Sequence, residues 1–510
     1  MKLYPYQQQF VDQVASNPDR RFWLLGDGLG LGKTAQALVA GQAPTMLIVC
    51  PKATLGSWER ECRTWLRQHP QLLTKAGDKP AADIVIVPWS MVSRLRHGLR
   101  KRNWGTLIID EVHFAKNPDA QRTLAVLGKW FSNSRRPGLV DSAKRVFCLT
   151  GTPVPNRPNE LRSVIGAMSL FHHSPFTLSA RDRRKWGDRY CAGHMEDVYV
   201  RGGGRRRVYN DSGASRLTEL SNQLYQHGMV RRTKAEVLTE LPPVRKHVMP
   251  LLGSDLPPYP LAWGEALRGS LSGKCALPSF EDTSAYRLAL GKAKVPGVAD
   301  CAIEFCAEDP DSGLLVFAHH QAVAEGICSC LVQAGVSTVC IHGGTNATAR
   351  AGRMAAFADG RAQVLVATLG TMGTGVDGLQ KRADTCLVAE LPWVPAELDQ
   401  AIGRLHRIGQ TGSVLARILV ASPSMDDHII DILLEKESVT ECILSSRKPE
   451  EEERKVDHDG DNRETDGAGD EGRGGGRADG RSQGADVRNP RRRQRGRLSR
   501  SQRERVICCA

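Results

Sequence analysis

The sequence lacks three features that would assign it to a class of protein at once. No CxxC pair occurs among its 14 cysteines, so the paired spacing of a structural zinc site is missing. No apolar run approaches the roughly 18 residues that a membrane-spanning helix needs, and the N-terminal residues have no apolar core like that of a signal peptide. We therefore expect an intracellular protein with no membrane partner, cytoplasmic in a bacterial or phage-infected cell and nuclear in a eukaryote.

Length and charge set broad limits. The chain has 510 residues, and single hydrophobic cores rarely grow past roughly 250–300 residues, so we expect more than one domain. The formal net charge is +14. Such an excess of basic residues is compatible with a polyanionic partner such as nucleic acid, although many basic proteins have none.

Strand and helix patterns alternate in two parts of the chain. Short apolar runs, often β-branched, are typical of parallel strands buried on both faces, and helix-length segments separate them. This alternation predicts two α/β lobes, each with a doubly wound parallel sheet, over 1–157 and 297–446. The predicted strands are 21–25, 46–50, 84–87, 106–109 and 145–149 in the first lobe, and 314–317, 338–341, 364–367, 386–389 and 415–420 in the second.

The remaining segments have other patterns. Residues 158–296 are mostly helical in pattern, with a loop at VRGGGRRRVYNDSG (200–213), and we expect a helical insertion between the lobes. Residues 447–510 are first acidic and glycine-rich, and then carry nine arginines against one glutamate over 488–505. That composition predicts a disordered C-terminal tail. We favour a non-specific nucleic-acid arm for the tail over a solvated linker or a nuclear-import signal.

A glycine-rich stretch, GDGLGLGKT (26–34), follows an apolar strand and opens a helix. Glycines let backbone N–H groups approach phosphate oxygens, and a helix N-terminus favours negative charge. In this pattern Lys33 neutralises the β- and γ-phosphates, and Thr34 holds Mg²⁺. The strict phosphate-loop pattern has glycine where this chain has Asp27, so an ordinary glycine-rich turn with a solvated lysine is the alternative.

A pair of carboxylates ends the apolar strand in TLIIDEVH (106–113). Asp110 at the strand tip is suited to hold the magnesium shell, and Glu111 to orient and deprotonate an attacking water. An acidic pair at a strand end is often only a helix cap. Together with the phosphate loop, however, this pair predicts a site for nucleoside triphosphate hydrolysis.

The second lobe contains the basic segment DQAIGRLHRIGQ (399–410). Arg404 and Arg407 are three residues apart and share one face if the segment is helical. A guanidinium can bridge transferring phosphate oxygens as an arginine finger, although two isolated arginines are more often surface charge. Because the phosphate loop belongs to the other lobe, hydrolysis then requires the two lobes to close on each other.

The ordered set of motifs resembles helicase superfamily 2, and within it the Swi/Snf-type DNA-translocating ATPases, over residues 3–437. The segment MVRRTKAEVLTELPPVRK (229–246) is typical of this family, and RYCAG, NDSGASRLTEL and VFAHHQ resemble its annealing-helicase (HepA-related) subgroup. The other matching motifs are LYPYQ (3–7), DGLGLGKT (27–34), LIVCPKATLGSWEREC (47–62), DEVH (110–113), LTGTPVPN (149–156), IHGGT (341–345), ATLGTMGTGVDGLQ (367–380) and ELPWVPAELDQAIGRLHRIGQ (390–410).

The resemblance implies two RecA-like lobes with ATP and Mg²⁺ in the cleft between them and DNA across both. It implies that Gln7 reads the adenine edge, and that Thr150 and Thr152 relay the state of the nucleotide to the DNA groove. The expected nucleotide contacts are Gln7, Asp27, Gly28, Leu29, Gly30, Leu31, Gly32, Lys33 and Thr34, and the expected DNA contacts are Lys52, Thr54, Thr150, Gly343 and Thr368. The chain departs from the family pattern at Gly28, where glutamate is usual, and at Asp377 and Val394, where asparagine is usual.

The implied function is a DNA-dependent ATPase that translocates along double-stranded or forked DNA without fully separating the strands. Two other functions stay open: a strand-separating helicase acting on single strands, and a non-catalytic DNA-binding scaffold. The intact Lys33, Asp110, Glu111, Arg404 and Arg407 speak against the scaffold. The 229–246 segment favours the translocase over the strand-separating helicase.

Overall fold

The structure is a computed structural model that describes residues 2–130, 135–153, 157–200, 204–251, 255–260, 263, 280–372 and 378–445. These residues belong to one compact unit, Met1–Ser446. The tail predicted over 447–510 lies outside the described residues. Within the described part of the chain, no helix has both the length and the apolar character needed to cross a bilayer.

Helices and strands alternate along most of the unit. The strands are β1 (Phe22–Leu25), β2 (Met46–Cys50), β3 (Gln71–Leu72), β4 (Ile84–Pro88), β5 (Trp104–Asp110), β6 (Ala143–Leu149), β7 (His194–Val200), β8 (Gly204–Asn210), β9 (Met229–Val230), β10 (Val244–Leu251), β11 (Leu314–Ala318), β12 (Thr338–Ile341), β13 (Val364–Thr368), β14 (Thr385–Val388) and β15 (Val414–Ala421). The α-helices are α1 (Pro5–Ala15), α2 (Lys33–Ala40), α3 (Leu55–Leu66), α4 (Val92–Arg100), α5 (Gln121–Val126), α6 (Arg162–Met168), α7 (Pro175–Ser179), α8 (Arg183–Tyr190), α9 (Leu217–Gln226), α10 (Lys234–Val237), α11 (Phe280–Glu308), α12 (Gln321–Gln333), α13 (Ala347–Ala358), α14 (Leu369–Met372), α15 (Pro395–Ile402) and α16 (Met425–Ser445).

The first lobe is built on a parallel sheet with the strand order β3-β4-β2-β5-β6-β1-β9. Successive residues of β1 face different cores: Phe22 packs with α4 and α5, whereas Trp23 packs with α1 and α2. Because helices cover both faces, strands such as β2 and β4 are apolar at every position. This is the predicted doubly wound sheet.

The second lobe repeats the architecture with the parallel order β10-β15-β14-β11-β13-β12. In β11, Leu315 and Phe317 face one core and Leu314 and Val316 face the other. All ten predicted strands are confirmed, and β2 and β12 have the predicted bounds. The fold class predicted from the sequence, two parallel-sheet α/β lobes, is confirmed.

The middle of the chain contains more strand than its pattern suggested. The loop predicted over 200–213 is wrong, since β8 covers half of it and pairs antiparallel with β7. Two further strands of this region extend the lobes: β9 joins the first sheet beside β1, and β10 joins the second beside β15. The helices α6 to α9 lie between the first lobe's last predicted strand and β9.

The helix α16 contacts the cores of both lobes. Near its start, Ile429 is buried in the second lobe, whereas Ile443 and Leu444 near its end are buried in the core of the first. The Tyr225 hydroxyl on α9 donates to the Leu444 carbonyl at 2.9 Å. The helix therefore joins the two lobes, and it lies beside β10, since Lys246 of β10 is 3.1 Å from Glu437 of α16.

Candidate nucleotide site between the lobes

The glycine-rich loop lies between the end of β1 and the start of α2, as predicted. Gly30 and Gly32 have φ values of +83° and +71°, in the left-handed region that favours glycine. Gly32 is the residue that precedes the first turn of α2. The backbone of the loop therefore turns sharply, so that the N–H groups of the loop lie beside the N-terminus of α2.

A segment from the middle of the chain holds this loop in position. We call residues 228–246 the inter-lobe linker. The Gly26 amide donates to the Val230 carbonyl at 2.7 Å, and the Gly28 amide donates to the Arg232 carbonyl at 2.9 Å. The parallel pairing of β9 with β1 thus continues past the end of β1 into the loop.

Asp27 anchors the loop to the linker. Its carboxylate is fully buried and lies 2.6 Å from the guanidinium of Arg232, which is 6% exposed. The Arg232 backbone amide donates to the same carboxylate at 2.9 Å, and the Gln36 amide donates to it at 3.0 Å. Predicted from the sequence as a nucleotide contact, Asp27 in the structure makes this set of bonds within the protein.

Gln7 lies directly against the loop. Its amide donates to the Leu31 carbonyl at 3.1 Å and its side-chain oxygen accepts from the Tyr4 amide at 3.0 Å. A Cβ atom at Gly32 would lie only 2.3 Å from the Gln7 amide nitrogen. Gly32 is therefore needed both for its backbone conformation and for the close approach of Gln7.

Lys33 points back into the loop that precedes it. Its ammonium donates to the carbonyls of Asp27 at 2.8 Å and Gly28 at 3.1 Å. Burial lowers the pKa of Lys33, although the negative charges of Glu111, Asp27 and Asp110 oppose this shift. The ammonium and both predicted catalytic carboxylates therefore share one site, and Thr34 follows on the first turn of α2.

Asp110 and Glu111 lie at the end of β5, facing the loop. The Asp110 carboxylate accepts from the Trp58 indole at 2.8 Å and from the Glu111 amide at 3.0 Å. Burial, together with the charge of Glu111, raises the pKa of Asp110. Glu111 has a φ of +49°, a left-handed conformation that is uncommon outside glycine.

Glu111 is surrounded by positive charge. Its carboxylate lies 3.2 Å from Nδ1 of His113. Burial favours the neutral acid, but the hydrogen bond and charge of His113, followed by Lys33 and Arg404, bring the pKa of Glu111 below its usual value. An ionised carboxylate at this position is what a general base requires.

The two arginines of the second lobe approach the loop of the first. The segment after α15 is a series of turns, so the helical spacing expected for Arg404 and Arg407 is wrong. A Cβ atom at Gly30 would lie 3.5 Å from Cγ of Arg407, and Arg404 acts electrostatically on Glu111. The structure thus brings both arginines to the site that contains Lys33.

Leu29 fills the gap between the lobes. A Cβ atom at Gly151 of the first lobe would lie 2.3 Å from its side chain, and one at Gly403 of the second lobe 3.4 Å from it. The loop is therefore in van der Waals contact with the arginine-bearing segment, and the two lobes are closed on each other in this structure.

A cavity of about 630 Å³ opens beside Glu111. Two predicted DNA contacts, Gly343 and Thr368, line it, whereas Thr150 is buried with its hydroxyl 3.2 Å from His113. Its lining residues are Glu111, His113, Phe114, Lys116, Thr152, His319, Gly343, Thr368, Leu369, Gly370, Thr371, Val394, Ala396, Glu397 and Gln400. The remaining two predicted DNA contacts, Lys52 and Thr54, lie outside this set of lining residues, on a short turn after β2. Lys52 is exposed, and the Thr54 hydroxyl donates to the Pro51 carbonyl at 3.0 Å. Asp377, where the chain departs from the family pattern, lies outside the described residues.

The donor set fits a magnesium nucleotide. Among the described residues there is no group of three or more acidic, histidine or cysteine side chains that forms a complete metal cage. Mg²⁺ at phosphate sites uses only one or two protein ligands together with phosphate oxygens and water. Thr34 and Asp110 provide such a pair, and the Thr152 hydroxyl nearby is buried without a hydrogen-bond partner in the described part of the chain.

Sequence reasoning missed the residues of the inter-lobe linker that contact the loop. Arg232 and Lys234 belong to the MVRRTK stretch, whose adjacent basic residues are the available signal. Nothing in their local spacing indicates a partner, because the Arg232–Asp27 contact joins residues 205 positions apart.

Two parallel-sheet lobes, with a phosphate loop and an acidic pair in one and paired arginines in the other, define a helicase-type two-lobed protein. Residues 6–254 match the SNF2-related domain and residues 297–409 match the helicase conserved C-terminal domain. The chain belongs to the Swi/Snf-type branch of helicase superfamily 2.

Several curated proteins are similar over most of the chain. The DNA annealing helicase and endonuclease ZRANB3 of Mus musculus is 29% identical over 474 residues, which cover 88% of this chain and 41% of that protein. The SWI/SNF-related matrix-associated actin-dependent regulator of chromatin subfamily A-like protein 1 of Xenopus laevis is 30% identical over 451 residues, which cover 85% of this chain and 43% of that protein. The chain thus spans less than half the length of these relatives.

One solved structure is also similar. The Sulfolobus solfataricus SWI2/SNF2 ATPase core in complex with dsDNA is 18% identical, with a TM-score of 0.40, and the match covers 87% of this chain and 93% of that one.

Proposed function

We propose that this protein is a DNA-dependent ATPase that couples ATP hydrolysis to translocation along double-stranded DNA. The observation that carries the proposal is that charged side chains of both lobes lie close together at the cleft. Lys33 of the first lobe and Arg404 of the second both lie within electrostatic reach of Glu111, and a Cβ atom at Gly30 of the loop would lie 3.5 Å from Cγ of Arg407. A triphosphate between the lobes supplies the negative charge that such a set of cations needs.

Each side chain has a role that follows from its position. Lys33, at the start of α2, neutralises phosphate oxygens, and the ionised Glu111 accepts a proton from the attacking water. Arg404 and Arg407 stabilise charge that develops on the transferred phosphoryl group. Thr34 and Asp110 hold Mg²⁺, which neutralises phosphate charge when it is bound.

The cavity beside Glu111 supports DNA as the second ligand. Gly343 and Thr368 line it, and so does Lys116 of the first lobe, which carries a positive charge. Neutral and basic donors of this kind contact DNA phosphates without reading sequence. Both relatives described above have printed names that refer to DNA annealing or chromatin, which agrees with duplex or forked DNA as the substrate.

The first experiment measures ATP hydrolysis by the full chain with and without duplex DNA. We expect DNA to stimulate the wild type, and Lys33→Ala and Glu111→Gln each to abolish hydrolysis. Lys75→Ala, which changes an exposed lysine, is the control and should behave as wild type. Near-normal turnover in either site variant would refute the role assigned to that residue.

A second experiment separates the two enzymatic alternatives. Displacement of a third strand from a triplex requires movement along a duplex, whereas release of one strand from a forked duplex requires strand separation. We expect ATP-dependent triplex displacement with no unwinding of a plain duplex. Unwinding without triplex displacement identifies a strand-separating helicase, and binding without hydrolysis identifies a scaffold.

A further inference from the structure

Lys234 of the inter-lobe linker lies over the phosphate loop. A Cβ atom at Gly30 would be 3.8 Å from Cε of Lys234 and 4.0 Å from its ammonium nitrogen. The same Cβ position would lie 3.5 Å from Cγ of Arg407, from the second lobe. Lys234 therefore occupies the space immediately outside the loop, beside the arginine already assigned to the nucleotide.

The ammonium also reaches the second lobe. It donates to the carbonyl of His406 and lies 3.5 Å from Nδ1 of the His406 ring. The other ring nitrogen of His406 lies 2.9 Å from the carbonyl of Pro242 in the linker. Lys234 thus connects the linker, the loop and the arginine-bearing segment through a single side chain.

The charges facing Lys234 are mostly of its own sign. Arg407 and Arg404 face it from the second lobe and Lys33 faces it from α2, whereas Asp399 on α15 is the opposing carboxylate. Burial, followed by the charge of Arg407, lowers the pKa of Lys234 to about 7. The pKa of His406 is lowered to about 4 by burial and by Lys234, so its ring is neutral near pH 7. A cluster of four cations is stabilised by a polyvalent anion.

We propose that Lys234 is a further phosphate-binding residue of the cleft, which the linker contributes to a bound nucleoside triphosphate. This inference rests on the proposed function, because it requires ATP to bind beside Lys33. When the phosphates are present, the ammonium exchanges its bond to the His406 carbonyl for one to a phosphate oxygen. The linker then contacts the nucleotide directly through Lys234, and it also contacts the phosphate loop through its backbone hydrogen bonds.

Proton linkage distinguishes this role from a purely structural one. A phosphate beside Lys234 stabilises its charged form, so its pKa rises when nucleotide binds. Above about pH 7 Lys234 is mostly neutral in the free protein, so nucleotide binding is accompanied by uptake of a proton. The number of protons taken up approaches about one per bound nucleotide near pH 8.5. Affinity for nucleotide therefore falls as pH rises, and the part of this dependence due to Lys234 disappears when the amine is removed.

The test is calorimetric binding of ATP and of ADP to the full chain near pH 8.5, in two buffers of different ionisation enthalpy. We expect Lys234→Met to weaken ATP binding about tenfold or more, the loss of a charge-assisted hydrogen bond, and to reduce proton uptake. Lys234→Arg should retain most of the affinity, since it keeps the charge. Lys75→Met is the matched control and should match the wild type in both quantities.

The outcomes separate this inference from the proposed function. If the wild type binds ATP and Lys33→Ala does not, but Lys234→Met matches the wild type in affinity and proton uptake, this inference is wrong and the ATP site stands. If the wild type fails to bind ATP, both are wrong. Thermal unfolding of each variant shows whether it is folded; a folded Lys234→Arg with wild-type affinity beside a weak Lys234→Met supports the inference even where methionine destabilises the chain.

Discussion

Replacing Arg232 by methionine should destabilise the first lobe and detach the phosphate loop from the inter-lobe linker. Asp27 and Arg232 are both out of water, at 0% and 6% exposed. Removing the guanidinium leaves a buried carboxylate without its counter-ion, which costs about 3–5 kcal/mol. Methionine has a similar length, so little of the loss comes from an empty cavity.

The structure places the expected loss toward the upper part of that range. The guanidinium contacts three partners besides the charge of Asp27: it donates to the Gln36 side chain at 2.6 Å and to the Tyr6 carbonyl, and it lies over the Tyr6 ring. Those acceptors are buried as well, and each keeps an unsatisfied lone pair in the variant.

Thermal unfolding followed by tryptophan fluorescence measures this loss. For a lobe of roughly 150–250 residues, about 5 kcal/mol lowers the Tm by roughly 10–20 °C. The control is Arg189→Met, which breaks the exposed 2.6 Å pair with Glu219 and should cost at most about 1 kcal/mol. The double variant Asp27→Leu, Arg232→Met removes both charges and should recover much of the stability.

The reasoning fails if Arg232→Met and Arg189→Met lower the Tm equally, or if the double variant is no more stable than Arg232→Met alone. In either case Arg232→Met does not leave an uncompensated buried charge on Asp27. Binding of ATP gives a second readout, because a loop detached from the linker should bind nucleotide more weakly even where the double variant is stable.

Three further predictions concern the second lobe and the tail. Arg407→Ala should leave ATP affinity nearly unchanged and lower kcat by about a thousandfold; a large loss of affinity with normal turnover would argue against an arginine finger. Deleting 447–510 should weaken duplex DNA binding and flatten its dependence on salt, because each lost phosphate contact lowers the slope by about 0.9; an unchanged slope in a filter-binding assay leaves the tail without that role. Ile443→Ala should lower the free energy of unfolding by about 2–5 kcal/mol, since this side chain of α16 is fully buried in the first lobe; an unchanged Tm would show that the end of α16 does not brace that lobe.

The strands of both lobes could be predicted because helices cover each sheet on both faces. A strand such as β2 is then apolar at every position and stands out from the helices around it. The strands of the middle region lack that signal. β8 begins with glycine and three arginines and has exposed positions, and β9 has only two residues, so neither forms a recognisable apolar run.

Candidate site residues could be singled out only where their chemistry is local in sequence. The glycine-rich loop, the acidic pair and the arginine segment each carry their residues within a few positions, so residue type and spacing together predicted the roles proposed for them. The contacts that organise them do not: Arg232 meets Asp27 across 205 positions, and Lys234 meets His406 across 172. Pairing over such distances is set by the packing of whole lobes, which the spacing of residues does not reveal.

The position of the inter-lobe linker limits how the lobes can move. Its start is fixed to the first lobe by β9 and by Arg232, and its end is fixed to the second lobe by β10, where Lys246 lies 3.1 Å from both Asp399 and Glu437. Between these anchors only α10 and the irregular residues 238–243 remain, and two prolines restrict φ at the end of that stretch. A movement of the lobes that opens the cleft would break the bond between Lys234 and His406, turn the backbone within these few residues and change the contacts of α16 with one of the lobes. Under the proposal made for Lys234, a bound nucleotide therefore acts on the linker within this short stretch, whose backbone has to turn when the angle between the lobes changes.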